Sequence, residues 1–327
     1  MVFITGKTSW RVALALLLAL AMVGMVAACG PDEDPDDVAD NGDDPADDPV
    51  ETERITIGST TFSEPWILGE AVKILLNEHV EGLEVDHVSG LQGSTMLHTA
   101  MMSGDLDLYV SWTGTQFTGV LEMEVTDEWK SAERVFDYVK QEFEEQFEQT
   151  WLPPFGFNNT YAIAVRQDFA EEHGLETSSD LVDLAPDMVI GVDQTFKERI
   201  GDGYFDMCEV YGFEFKDAVD MDYGIMYRSV AEGEVDAIVA YSTDGRIASM
   251  NLTILEDDKE FFPPYDGALV LRMDLLERYP EIEEVLTPLF GTIDEEVMGA
   301  LNARVDVNEE EFEDVARDFL VQRGLID

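Results

Sequence analysis

From Ile55 onward, short apolar runs alternate with amphipathic stretches, and the alternation occurs twice along the chain. Ile55-Thr56-Ile57-Gly58 reads as a strand that turns through Ser59, Thr60 and Thr61 into a helix over 65–79. Ser63 is its expected N-cap, Pro65 lies in its first turn, and Ile67, Leu68, Val72, Leu75 and Leu76 recur along one face. A strand over 84–88 follows, then a helix opened by Gly90 to Thr95 and running to Met102, then a strand over 107–112. A long acidic helix is predicted over 131–149. The same grammar restarts with a strand over 161–165 and continues through a strand over 189–192, a helix over 198–211 and a strand over 237–241. After Phe261 to Tyr265 the chain reads as returning to the first unit and finishing in helices over 281–289, 294–305 and 309–323. Strand, turn and helix in this order predict an α/β fold with mainly parallel sheets, in two lobes joined by two crossings. Such a molecule has a hinge and an interlobe cleft, and open α/β sheets hold ligands outside the carboxyl ends of their strands.

Two segments stand outside that pattern. Lys7 and Arg11 precede an apolar run from Val12 to Val23, shorter than the roughly 20 residues that span a bilayer, and Val26-Ala27-Ala28-Cys29-Gly30 closes it on small side chains. This predicts a lipoprotein signal peptide over 1–28. After its removal Cys29 carries the lipid and tethers the protein at the extracytoplasmic face of the membrane, periplasmic or extracellular. Residues 29–54 are dominated by Asp, Glu, Pro and Ala, and predict a disordered, self-repelling spacer. Asp32, Asp34 and Asp36 lack the glycine and twelfth-position glutamate of a calcium loop, so no metal site is read there. Once Cys29 is acylated, Cys208 has no partner, and stability must come from the core instead of a disulfide framework.

Charge narrows the partners. The chain carries 71 acidic and 19 basic residues, a net charge of −52, and loss of Lys7 and Arg11 with the leader makes it −54. Only about a dozen acids fall in the spacer, so the globular part is strongly acidic as well. A field of this sign excludes nucleic acid, whose phosphates are bound through basic patches. It suits a surface that stays hydrated in concentrated salt, a halophilic character.

Enzymatic chemistry finds no support in the motifs. His79, His87, His98 and His173 are scattered, with no His-Glu-x-x-His, no Gly-x-Ser-x-Gly and no phosphate loop, and no cofactor is implied. Asp105 with Asp107, and Asp220 with Asp222, are pairs of the kind that 71 acids produce by chance. Trp112, Tyr161, Tyr241 and Tyr265 are more informative, since each sits where a strand meets a loop. Their rings could pack in a core or face a cleft. A quaternary ammonium donates no strong hydrogen bond, so the selective way to hold it is to surround it with π-faces, each contributing about 0.5–2 kcal/mol.

Several segments taken together carry a resemblance. They are Ile57-Gly58-Ser59 with Phe62, Ile67-Leu68-Gly69-Glu70, Thr113-Gly114-Thr115, Phe155 to Tyr161, Tyr241 to Ile247, and Leu255 to Tyr265. In order and over 55–325, this set resembles the glycine betaine, carnitine and choline-binding proteins of osmoprotectant ABC importers. The resemblance implies a two-lobed periplasmic-binding-protein-like fold of type II, with one lobe from 55–158 plus 267–327 and the other from 159–266. It also implies a binding function without catalysis, and permease and ATPase partners. It places an aromatic cage on Tyr161, Tyr241 and Tyr265, with Trp112 where a tyrosine is usual and the Asn159 carbonyl beside the cation. Arg199, in a Phe196-x-x-Arg199-x-x-Asp202-Gly203 pattern, stands where the family's arginine pairs with the ligand carboxylate, helped by Thr115. Thr60 replaces a lysine common at that position, so its hydroxyl is left as a weaker donor. A ligand-sensing module serving a chemoreceptor or kinase is the alternative, and would need a separate signalling partner.

Overall fold

The computed structural model describes residues 52–327; the leader, Cys29 and the spacer as far as residue 51 lie outside the described residues. Among the described residues ten strands form two five-stranded sheets. The first takes β1 (Glu53–Gly58), β2 (Leu83–Val88), β3 (Leu108–Trp112), β4 (Gln149–Trp151) and β10 (Gly267–Arg272), in the order β2-β1-β3-β10-β4. The second takes β5 (Tyr161–Arg166), β6 (Val189–Val192), β7 (Asp217–Asp220), β8 (Ala237–Tyr241) and β9 (Leu252–Ile254), in the order β7-β6-β8-β5-β9. The middle of each sheet is apolar throughout: β3 is buried at every residue, as are β5 and β10 up to their terminal arginines. Those runs are covered on both faces, whereas β2 at an edge alternates buried and exposed.

The sheets are mixed, not mainly parallel. β1 pairs in parallel with β2 and β3, and β6 with β7 and β8, but β10 runs antiparallel to β3 and β4, and β5 antiparallel to β8 and β9. The reason is the pair of crossings. A chain that leaves one sheet and later returns enters each as a strand opposed to its neighbours. The two crossing segments pair with each other: the Asn159 amide donates to the Tyr265 carbonyl at 3.0 Å, and the Tyr265 amide donates to Asn158 Oδ1 at 2.7 Å.

Four local expectations change. The acidic helix spans Ala132–Phe147, capped by Ser131, and ends because Glu148 adopts a left-handed conformation that turns the chain into β4. The helix expected over 198–211 is two helices, Gln194–Glu198 and Tyr204–Tyr211. Between them Gly201 takes a positive φ, and a Cβ on Gly203 would lie 2.3 Å from the Arg199 carbonyl oxygen, so the glycines permit a tight loop that a continuous helix would forbid. Ser63 is already helical in Ser63–His79, whose cap position is Phe62; its hydroxyl instead donates to Asp306 Oδ2 at 2.9 Å, tying this helix to Glu295–Asp306. β1 also begins at Glu53, two residues before the expected strand start.

Candidate ligand-binding cleft

Strand register brings the aromatic residues together. Tyr161 at the start of β5 lies directly opposite Tyr241 at the end of β8, and Gly267, two residues after Tyr265, lies opposite Trp112 at the end of β3. Antiparallel pairing therefore delivers all four rings to the carboxyl ends of β3 and β8, where the sheets face one another. The Tyr161 ring is 5.0 Å from Tyr241 and 5.6 Å from Tyr265, and Phe196 and Phe262 close around it at 4.6 and 5.8 Å. Trp112 joins the group through Phe62, which stacks on Trp112 at 5.2 Å and on Tyr241 at 5.7 Å. Burial pushes the Tyr161 phenol up to about 12 and those of Tyr241 and Tyr265 well above their usual value, so all three rings stay neutral π-faces. Gly114 makes room for this: a Cβ there would meet the Pro264 carbonyl and the Tyr265 ring at 2.7 Å.

The loop after Gln194–Glu198 carries Arg199 into the same space. Its guanidinium lies 5.6 Å from the Tyr161 ring centre and 6.0 Å from that of Tyr265, and pairs with Asp202, whose carboxylate also accepts the Tyr265 hydroxyl. Arg199 Nη2 donates to Thr118 Oγ1 at 2.7 Å, so the hydroxyl it contacts is one turn beyond the expected Thr115, which is half-buried. Burial works against the charge on the guanidinium, and the Asp202 carboxylate holds it charged all the same. Thr60 is buried with its Oγ1 free of hydrogen bonds among the described residues, and its carbonyl accepts the Gly90 amide at 3.2 Å. An open hollow of about 670 Å³ lined by Lys197, Ile200 and Phe205 touches Arg199 but none of the four rings, and the candidate site is the buried ring cluster itself.

With this geometry, comparison with known proteins is decisive. Residues 53–322 match the family described as the substrate binding domain of the ABC-type glycine betaine transport system. The chain belongs to that family. It is 38% identical over 269 residues to the carnitine transport binding protein of Listeria monocytogenes, covering 82% of this chain and 86% of that one. It is 34% identical over 288 residues to a glycine-betaine-binding protein of Pseudomonas aeruginosa, covering 85% and 90%. A crystal structure of a glycine betaine/carnitine/choline ABC transporter superimposes with a TM-score of 0.73 at 33% identity, over 84% of this chain and all of that one. The protein is accordingly a two-lobed substrate-binding protein of an ABC transporter and not an enzyme.

This ABC substrate-binding domain joins its lobes through a residue that pattern reading passed over. Glu64 is fully buried and accepts four hydrogen bonds, from Trp112 Nε1 at 3.0 Å, Asn159 Nδ2 at 2.9 Å, Thr243 Oγ1 at 2.6 Å and Asn302 Nδ2 at 3.1 Å. Its donors come from the end of β3, the first crossing, the loop after β8 and the Glu295–Asp306 helix, so one carboxylate ties both sheets and the hinge. Burial pushes its carboxyl up, and the four donors oppose that by solvating the charge. Asn159 is occupied on both sides, its amide at the hinge and its Nδ2 on Glu64, while its Oδ1 has no partner among the described residues. In sequence, Glu64 reads as an ordinary acid in a helix's first turn, and Phe62 as part of a family motif. Only the topology puts Trp112 and Thr243 against them.

Proposed function

We propose that this protein is the extracytoplasmic receptor that captures a quaternary-ammonium osmoprotectant, glycine betaine foremost, and delivers it to the permease and ATPase of an ABC importer. The observation that carries the reading is the convergence of Tyr161, Tyr241 and Tyr265 within 5.0–5.6 Å at strand ends between two sheets. Neutral, desolvated rings of this kind attract a methylated ammonium through their π-faces, and a head without N–H donors gives up no strong hydrogen bond on leaving water. In this reading Trp112 and the Asn159 carbonyl complete the cage. Arg199, with the hydroxyls of Thr115 and Thr60, receives the carboxylate, for which a planar guanidinium is well shaped. The names of the relatives, which specify carnitine and glycine betaine, support the same ligand class.

The lobes in this proposal are 55–158 plus 267–327 and 159–266, closing on the ligand about the two crossings. Residues 1–28 are the leader, Cys29 the lipid anchor and 29–54 the spacer, and the acidic surface is an adaptation to salt. Calorimetry with glycine betaine, proline betaine, choline, carnitine and ectoine tests the ligand class. Tight binding confined to the quaternary amines is the expected result, and heat from ectoine alone would refute the cage.

A further inference from the structure

Asp193 follows β6 at its carboxyl end. Parallel pairing of Gly191 with Ile238 puts Asp193 level with Ala240, next to Tyr241 and hence beside the Tyr161–Tyr241 pair. Its Oδ1 caps the following helix by accepting the Phe196 amide at 2.9 Å, and the Phe196 ring lies 4.6 Å from Tyr161. Its Oδ2 is buried and accepts no hydrogen bond among the described residues, although the residue is only 7% exposed. A buried carboxylate oxygen that accepts no hydrogen bond costs free energy, and natural structures seldom keep one without a use.

The charges around the tyrosines sharpen the point. Arg199 is paired with Asp202, which is fully buried and also takes the Tyr265 hydroxyl. That cation is therefore already matched in direct contact. Burial pushes the Asp193 carboxyl up while its helix-cap amides and the more distant Arg199 charge oppose this, and in its ionised form Asp193 leaves one negative charge over beside the rings. Its charge adds to burial in pushing the Tyr161 and Tyr241 phenols up, which is the field a bound cation would feel with opposite sign.

We propose that the Asp193 carboxylate is a specificity-determining counter-charge for the ammonium head, selecting ligands of net positive charge and working against the preference for a ligand carboxylate that Arg199 confers. A cation such as choline gains the full attraction. A zwitterion such as glycine betaine gains it at the head and loses part of it through repulsion of its own carboxylate, a few ångströms further away. The inference rests on the quaternary-ammonium reading of the site.

The test is Asp193→Asn, which keeps a side-chain oxygen for the Phe196 amide and removes only the charge, since Asn caps helices as well as Asp. Asp193→Ser, also a capping residue, serves as the second variant if the first is poorly folded. Tetramethylammonium, choline and glycine betaine are titrated into parent and variant. The expected result is a loss of roughly tenfold for tetramethylammonium and choline, with a clearly smaller loss for glycine betaine, so the betaine-to-choline affinity ratio rises severalfold. An unchanged ratio, or one that moves toward choline, overturns the assignment of Asp193 while leaving the cage in place. A parent protein that binds none of the three overturns the cage, and this inference with it.

Discussion

Glu64 and the Arg199–Asp202–Asp193 group meet one problem, a carboxylate withdrawn from water, in two ways. Around Glu64 no cation is used among the described residues. Four neutral donors from four parts of the chain converge on one carboxylate, so its charge is solvated by protein dipoles and the joint between lobes is as rigid as its weakest donor. Around Arg199 the charge is matched by a cation and the match is incomplete: Asp202 is in a salt bridge, whereas Asp193 has none among the described residues and its Oδ2 accepts no hydrogen bond there. A complete network builds a fixed support, whereas an incomplete one leaves a field for something that comes and goes. The first lies at the crossings between the sheets, and the second beside the rings proposed to hold the ligand.

Removing the centre of the complete network has the largest expected effect. Glu64→Ala strands four buried donors, and at about 1–3 kcal/mol for an unsatisfied group even partial relaxation leaves a loss of at least about 3 kcal/mol, a large share of a stability of about 5–15 kcal/mol. Glu64→Gln keeps the shape but turns an amide N–H₂ toward groups that themselves donate, so an intermediate loss is expected. Urea unfolding of the two variants reads both values. Equal, small losses in both would mean that the Glu64 network is slack and the lobes are held elsewhere.

Arg199→Ala comes next and acts on the other network. Loss of charge-assisted bonds should cost glycine betaine about 1.5–3 kcal/mol, and choline, which has no carboxylate, far less. It also leaves Asp202 buried without its cation, so stability falls with affinity. Arg199→Ala combined with Asp202→Asn should recover the stability and not the betaine affinity. If betaine binds the single variant as tightly as the parent, Arg199 is a structural partner of Asp202 and nothing more.

The rings are expected to matter less individually and more evenly. Tyr241→Ala or Tyr161→Ala should weaken every quaternary ligand together by about 1–2 kcal/mol per ring, because the methylated head is common to all. A loss confined to one ligand would show that the ring reads the variable end of the molecule instead of the head.

The strands that carry these rings were legible because they are uninterrupted apolar runs, and Ala237 to Tyr241 is recovered residue for residue. What escaped is what pairing decides. Three-residue strands such as β4 and β9 carry no period long enough to detect, and they exist because β10 and β5 offer a free edge. The antiparallel half of each sheet follows from the chain crossing twice, which no local pattern encodes. In the cleft, Tyr161, Tyr241, Tyr265 and Arg199 could be placed because family motifs mark them. Asp193 and Glu64 could not, since among 71 acidic residues a buried carboxylate looks like a surface one until its neighbours are known.

A third carboxylate makes the smallest and cleanest comparison. Asp266 lies at the second crossing, its backbone bonded to Thr113, while among the described residues its side chain has neither the donors of Glu64 nor the cation of Asp202. Burial, with the nearby charge of Glu295 adding to it, pushes its carboxyl up to about 6. A carboxyl that is harder to ionise in the folded chain than in the unfolded one favours folding while protonated in both. That contribution is complete below the unfolded value near 3.8 and is lost as pH rises through about 6. Asp266→Asn removes the ionisation. It should leave the melting temperature unchanged near pH 4 and raise it by roughly 2–4 °C at pH 7.5, a shift that corresponds to about 1 kcal/mol in a chain of this size. Thermal melts of parent and variant at the two pH values decide it. A variant that is destabilised equally at both would mean that Asp266 accepts a hydrogen bond the hinge depends on, which would move it into the same class as Glu64.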